Sequence, residues 1–156
     1  MLLNYYYWYF TKALSPKVCQ RIISLSKRHK KLKAITGHST KKVTYQKLTK
    51  QQKLNLSKTR NSNIVWLNEP WLFELLQSYV RTANQNSGWN FQWERTESIQ
   101  FTQYKKNQFY GWHQDTFPHP HTEGPLKGLI RKLSVIVSLT DENKYVGGDL
   151  EFDLRN

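Results

Sequence analysis

The sequence predicts an α+β protein, with helices placed first and antiparallel strands closing a sandwich or barrel core after them. Three observations carry that expectation. Leu72, Leu75, Leu76, Tyr79 and Ala83 fall at i, i+3, i+4, i+7 and i+11, which is one apolar stripe of a helix. Past Gly88 the period drops to two, with Trp89, Phe91 and Trp93 alternating and then Ile99 and Phe101. Leu133, Val135, Val137 and Leu139 alternate in the same way, and Leu150, Phe152 and Leu154 follow Gly147-Gly148.

Taken in order, Tyr5 to Phe10 is a run of β-favouring aromatics and reads as a first strand. Ser15-Pro16 supplies an N-cap with proline at the first helical position, and Val18, Ile22, Ile23 and Ser26 carry that helix to about His29. Lys30 to Ser57 is polar and weakly patterned, an exposed excursion with helix around Tyr45 to Leu54. Ser62 to Leu67 is a short strand, and Asn68-Glu69-Pro70 opens the striped helix, which Gly88 closes. The strand from Ile99 runs towards Tyr104, a turn follows at Lys105 to Asn107, and Phe109 to Asp115 resumes as strand. Thr116 to Gly128 holds three prolines and two glycines and reads as a loop.

One domain over residues 1–156 is what this length supports. Cys19, the single cysteine, excludes an internal disulfide and sits on an apolar helix face, as a structural thiol would. No apolar run reaches a membrane span and the opening residues lack a basic leader, so a cytoplasmic protein without a membrane partner is expected. The net charge of +13 is unevenly spread. No Asp or Glu precedes Glu69, whereas fifteen Lys and Arg lie between Lys12 and Arg60. Such a field attracts polyanions, and the plainer and preferred reading is a solvated lysine-rich surface.

His113 and Asp115 stand two apart, so an extended backbone puts both side chains on one face. An imidazole nitrogen and a carboxylate oxygen converging on one point suit a borderline divalent cation. His-x-acid pairs also arise by accident, and His121 with Glu123 is a second one, set in a Pro/Gly loop with no strand to aim it.

Around the first pair the residues form a longer pattern. Gln103-Tyr104, Phe109-Tyr110-Gly111-Trp112-His113-Gln114-Asp115, Arg131-Lys132-Leu133-Ser134 and Gly147-Gly148-Asp149-Leu150-Glu151-Phe152 follow one another in order, preceded by Arg60-x-Ser62 and Trp66. This series resembles the prolyl-4-hydroxylase-like branch of the Fe(II)- and 2-oxoglutarate-dependent oxygenases, in particular the small PKHD-type hydroxylases. The resemblance spans roughly Arg60 to Phe152, with the Tyr5 to Ser26 opening as weaker support. It implies a double-stranded β-helix (jelly-roll) core with the N-terminal helices packed on it. It implies that His113 and Asp115 bind iron. Tyr104 matches the tyrosine whose hydroxyl reaches the co-substrate, with an ordinary core aromatic as the alternative. Tyr110 and Trp112 would be pocket wall or core, Arg131 a holder of an acidic partner or a surface arginine, and Gly147-Gly148 a tight turn with close backbone approach.

The activity implied is a dioxygenase that consumes O2 and 2-oxoglutarate and hydroxylates a C–H bond of a protein or peptide side chain such as proline, with ascorbate supporting the ferrous state. The family's third ligand is a distal His followed by an Arg or Lys for the far carboxylate of 2-oxoglutarate, on a strand later than Asn156. The expectation is therefore the N-terminal and central part of such a domain, truncated before its closing strands, with His119 or His121 as improbable replacements. Two alternatives remain open: a nucleic-acid-directed oxygenase of the same fold, suggested by the basic first third and the Tyr5 to Phe10 aromatics, and a degenerate domain that binds without catalysis.

Overall fold

The computed structural model describes residues 5–36, 44–116 and 118–154. They form an α+β structure. In chain order the elements are α1 (Pro16–Ser26), β1 (Leu32–Lys33), α2 (Lys50–Thr59), β2 (Arg60–Asn61), β3 (Asn63–Leu67), α3 (Pro70–Asn86), β4 (Ile99–Gln103) and β5 (Phe109–Tyr110). Short 3-10 turns stand at Tyr45–Lys47, Gly124–Leu126 and Glu142–Lys144. The chain gathers into two compact units. The first takes the described residues of Met1–Arg28, Leu67–Ile99 and Val135–Asn156, the second those of His29–Trp66 and Gln100–Ser134.

In the first unit, α1 begins where the sequence places it. Ser15 Oγ accepts from Val18 N, and Pro16 occupies the first turn, where its missing N–H is not needed. The helix buries Ile22 and Ser26 and ends at Ser26, three residues before the expected His29. The Arg21 guanidinium lies 4.0 Å from the centroid of the Trp71 ring on α3. In α3 the apolar stripe turns inward and Leu72 is 1% exposed.

Beyond α3, Asn84 replaces a strand with a clamp. Its Nδ2 donates to Phe91 O and its Oδ1 accepts from Phe91 N, both at 2.9 Å. Gly88 (φ 71°) and Asn90 (φ 53°) take left-handed backbone, which no extended segment contains. The alternation of Trp89, Phe91 and Trp93 therefore serves a folded turn rather than the expected strand.

Tyr5 to Phe10 also makes no ladder. It is held instead by side chains: Trp89 Nε1 donates to Tyr5 O, Tyr79 Oη donates to Ala13 O, and Phe10 packs edge-on against Tyr79. Val135 to Leu139 and Leu150 to Leu154 carry no strand pairing either. Gly147 and Gly148 both have positive φ and make the turn that was expected, but a Cβ at Gly147 would meet nothing within 4 Å. A Cβ at Gly148 would meet only the Tyr145 ring, 3.8 Å away, so among the described residues no backbone makes the close approach expected there.

The second unit holds the sheets except for Leu67 at the end of β3 and Ile99 at the start of β4. In the three-stranded sheet β3 is central, in the order β1-β3-β4, with Leu32 opposite Ile64 and Lys33 opposite Asn63. Ile64 and Val65 are buried and Trp66 is exposed. α2 starts with a capping box: Thr49 Oγ1 accepts from Gln52 N, and Gln52 Oε1 accepts from Thr49 N. Its end runs straight into β2, which pairs antiparallel with β5, Arg60 opposite Tyr110 and Asn61 opposite Phe109. Among the described residues no helix is long and apolar enough to cross a membrane.

Candidate functional site

The β2–β5 pair sets the geometry of the candidate site. Gly111 continues that pairing by donating its N–H to Thr59 O at 2.8 Å. A Cβ there would stand 3.4 Å from the same oxygen, in van der Waals contact. Past Gly111 the strand stops and the chain bends, leaving Trp112 on the surface.

His113 folds back over this corner. Its ring stacks on Tyr110 with centroids 3.6 Å apart and planes 11° from parallel. Its Nδ1 lies 2.8 Å from Gly111 O. A carbonyl oxygen only accepts, so Nδ1 carries the proton and Nε2 is the nitrogen that points away from the backbone. Nε2 stands 3.2 Å from Asp115 Oδ1. With a neutral imidazole these are two lone-pair acceptors facing each other, and a positive centre belongs between them: a proton on Nε2 or a metal cation.

The separation suits the second choice as well as the first. Two donors at about 2.1 Å from a cation, on adjacent positions at a right angle, are about 3 Å apart. The pair thus fits two neighbouring coordination positions of a divalent ion, and at 35% and 45% side-chain exposure it is open to solvent. The Nδ1–H to carbonyl bond is the kind of outer contact that fixes the tautomer and plane of a metal-binding imidazole.

Arg60 lies against the same tyrosine, with its Cζ 4.2 Å from the Tyr110 centroid. Two flat groups at 3.6 and 4.2 Å cannot share one face of a ring, so Tyr110 is sandwiched between His113 and Arg60. Burial pushes the Tyr110 phenol above its ordinary value; Arg60 opposes this, the charges of Asp115 and Tyr104 add to it, and Arg131 opposes it again. Arg131 also ties down the loop. It donates to the Asp115 backbone oxygen, and its own carbonyl accepts from Thr116 Oγ1 at 3.1 Å.

The sequence-derived residues are placed as follows. His113 and Asp115 meet. Tyr104, half exposed, lies just past β4 and close enough for its charge to act on Tyr110. His121 closes the following loop through its backbone, accepting from Gly128 N and donating to Leu129 O. Among the described residues no group of three or more His, Cys, Asp or Glu side chains gathers to hold a metal, so neither His119 nor His121 completes the pair. Tyr110, which the sequence suggests as pocket wall or core, and Arg60, one piece of the motif, form the stack on which His113 rests. No family model, curated protein or solved structure matches the chain.

Proposed function

We propose that this chain belongs to an Fe(II)- and 2-oxoglutarate-dependent dioxygenase of the prolyl-4-hydroxylase-like kind and carries two of its iron ligands, His113 and Asp115. The observation that carries the reading is the approach of His113 Nε2 and Asp115 Oδ1 to 3.2 Å, with Nδ1 committed to Gly111 O. His113 Nε2 and Asp115 Oδ1 would hold the ion. Arg131, a cation that donates to the Asp115 backbone, and Tyr104, a phenol just past β4, would suit an acidic co-substrate. Bound there, iron(II) would supply oxidation of a C–H bond by O2, with 2-oxoglutarate converted to succinate and CO2 and the substrate carbon gaining the hydroxyl.

The chain's own residues would orient and shield. The stack of Tyr110 holds the imidazole plane, and the Gly111 carbonyl fixes its tautomer. Ascorbate would keep the ion ferrous. A protein or peptide side chain such as proline is the substrate class this reading carries with it.

The finer architecture proposed with it is the double-stranded β-helix, to which β1-β3-β4 and β2-β5 would contribute. It requires residues 133–139 to pair as a strand in solution. Slow amide exchange along that segment supports it, and fast exchange throughout removes it.

Succinate formation tests the activity. With Fe(II), ascorbate, 2-oxoglutarate and O2, any succinate that the chain releases should be abolished by His113→Ala. Equal turnover in both proteins would remove the assigned site.

A further inference from the structure

Arg60 is only 5% exposed, and an ionised guanidinium out of water calls for an anion or a full set of acceptors. Its surroundings supply part of that set. Nε donates to Ser62 Oγ at 2.9 Å, and Ser62 is itself wholly enclosed. One flat face is covered by Tyr110. Nη2 is buried and has no hydrogen-bond partner, and among the described residues no carboxylate pairs with Arg60. Buried polar atoms left in that state are uncommon, and an unseen ion or ligand is one of the few explanations for them.

We propose that Arg60 anchors the carboxylate of a small acidic ligand, bound by Nη2 beside the Ser62 hydroxyl and against the Tyr110 ring. One carboxylate oxygen can accept from Nη2 and the other from the Ser62 hydroxyl, whose proton is not used in accepting from Nε. A phosphate, with more charge to satisfy, wants several donors or a nest of backbone amides. Here one nitrogen is unmatched, and the Arg60–Asn61 backbone is extended and engaged with β5. For the acid to enter, the half-exposed Tyr110 ring would have to lift off Arg60. Because His113 stacks on the opposite face of the ring, a bound acid and the His113–Asp115 pair would share Tyr110 as a common wall.

This site goes beyond the cation reading and does not depend on it. Succinate is the suitable probe, since it lacks the 2-oxo group that chelates a metal, and the titration is run calorimetrically on the full chain in metal-stripped buffer. Failure of the acid site then leaves the cation pair untouched, and the reverse holds too. Saturable succinate binding is expected in the wild type, weakened at least tenfold by Arg60→Met and several-fold by Ser62→Ala, with Arg60→Lys between the wild type and Arg60→Met. Inorganic phosphate should bind more weakly than succinate. Equal succinate affinity in the wild type and a folded Arg60→Met, or no saturation in the wild type, overturns the proposal and leaves a buried water as the partner of Nη2. Phosphate binding as tightly as succinate overturns the assignment to a carboxylate. Should Arg60→Met not fold, the wild-type titration and Ser62→Ala decide the matter.

Discussion

The corner at β2 and β5 and the segment from Val135 to Leu154 make opposite use of their residues. At the corner, strands of two residues each are enough to bury an arginine, sandwich a tyrosine and bring His113 to Asp115. The C-terminal segment has the better strand pattern on paper, yet Val135, Ile136, Leu150 and Phe152 are 50%, 61%, 58% and 55% exposed. Alternation describes a residue's fitness for a pleated surface, but only a hydrogen-bonded neighbour makes a strand. The β2 strand has such a neighbour because α2 delivers Arg60 directly opposite Tyr110. Phe152 meets a ring instead, stacking on Tyr7 with centroids 5.5 Å apart.

The contrast can be broken or sharpened by substitution. The largest effect is expected in the buried part of α3: Leu72→Ala should cost about 2–5 kcal/mol in denaturant unfolding, because it opens a cavity where Leu72 is 1% exposed. Next, Tyr110→Leu removes the platform under His113, and divalent-metal affinity should fall about 10–100-fold, whereas Tyr110→Phe keeps the stack and should stay near wild type. The same pair of proteins gives a pH test. The Tyr110 phenol is raised in the folded state, so the unfolded chain loses that proton first as pH climbs through the ordinary phenol range near 10. Stability should therefore fall with rising pH there, and Tyr110→Phe should lessen the fall, as followed by thermal melts across alkaline buffers.

A smaller effect, about 1 kcal/mol, is expected for Thr49→Ala, which opens the capping box of α2 and loosens the helix that positions Arg60. Least of all, Leu150→Ala should change stability by no more than about 0.5 kcal/mol. A cost comparable to that of Leu72→Ala would show that the C-terminal segment is packed in solution, and the contrast between the two regions would fail.

How far the sequence was legible follows from what kind of signal each element had. The α3 stripe repeats over three turns, and Ser15-Pro16 announces α1, so both could be read directly. For α2 the start signal was present as Thr49 and Gln52 three residues apart, but the segment lacks an apolar stripe, with Leu56 its one buried residue. The helix was consequently expected at Tyr45 to Leu54, several residues too early.

The strands β1 and β2 span two residues each, which is too short for any period to appear. Arginine is ordinarily exposed, and the burial of Arg60 depends on Tyr110, fifty positions away in the chain. The meeting of His113 and Asp115 was anticipated from a pleated strand, yet no ladder continues past Gly111. A ring stack and an Nδ1 to carbonyl bond bring them together instead. Period two gave the right neighbours through a local structure that is not there.

The central claim is that His113 and Asp115 share one cation. Calorimetric titration with Fe(II) under anaerobic conditions, on the wild type, His113→Ala and Asp115→Ala, tests it most directly. One saturable site in the wild type that disappears in both variants is the expected result. Heats that are the same in all three proteins, or that are absent from the wild type, would contradict it.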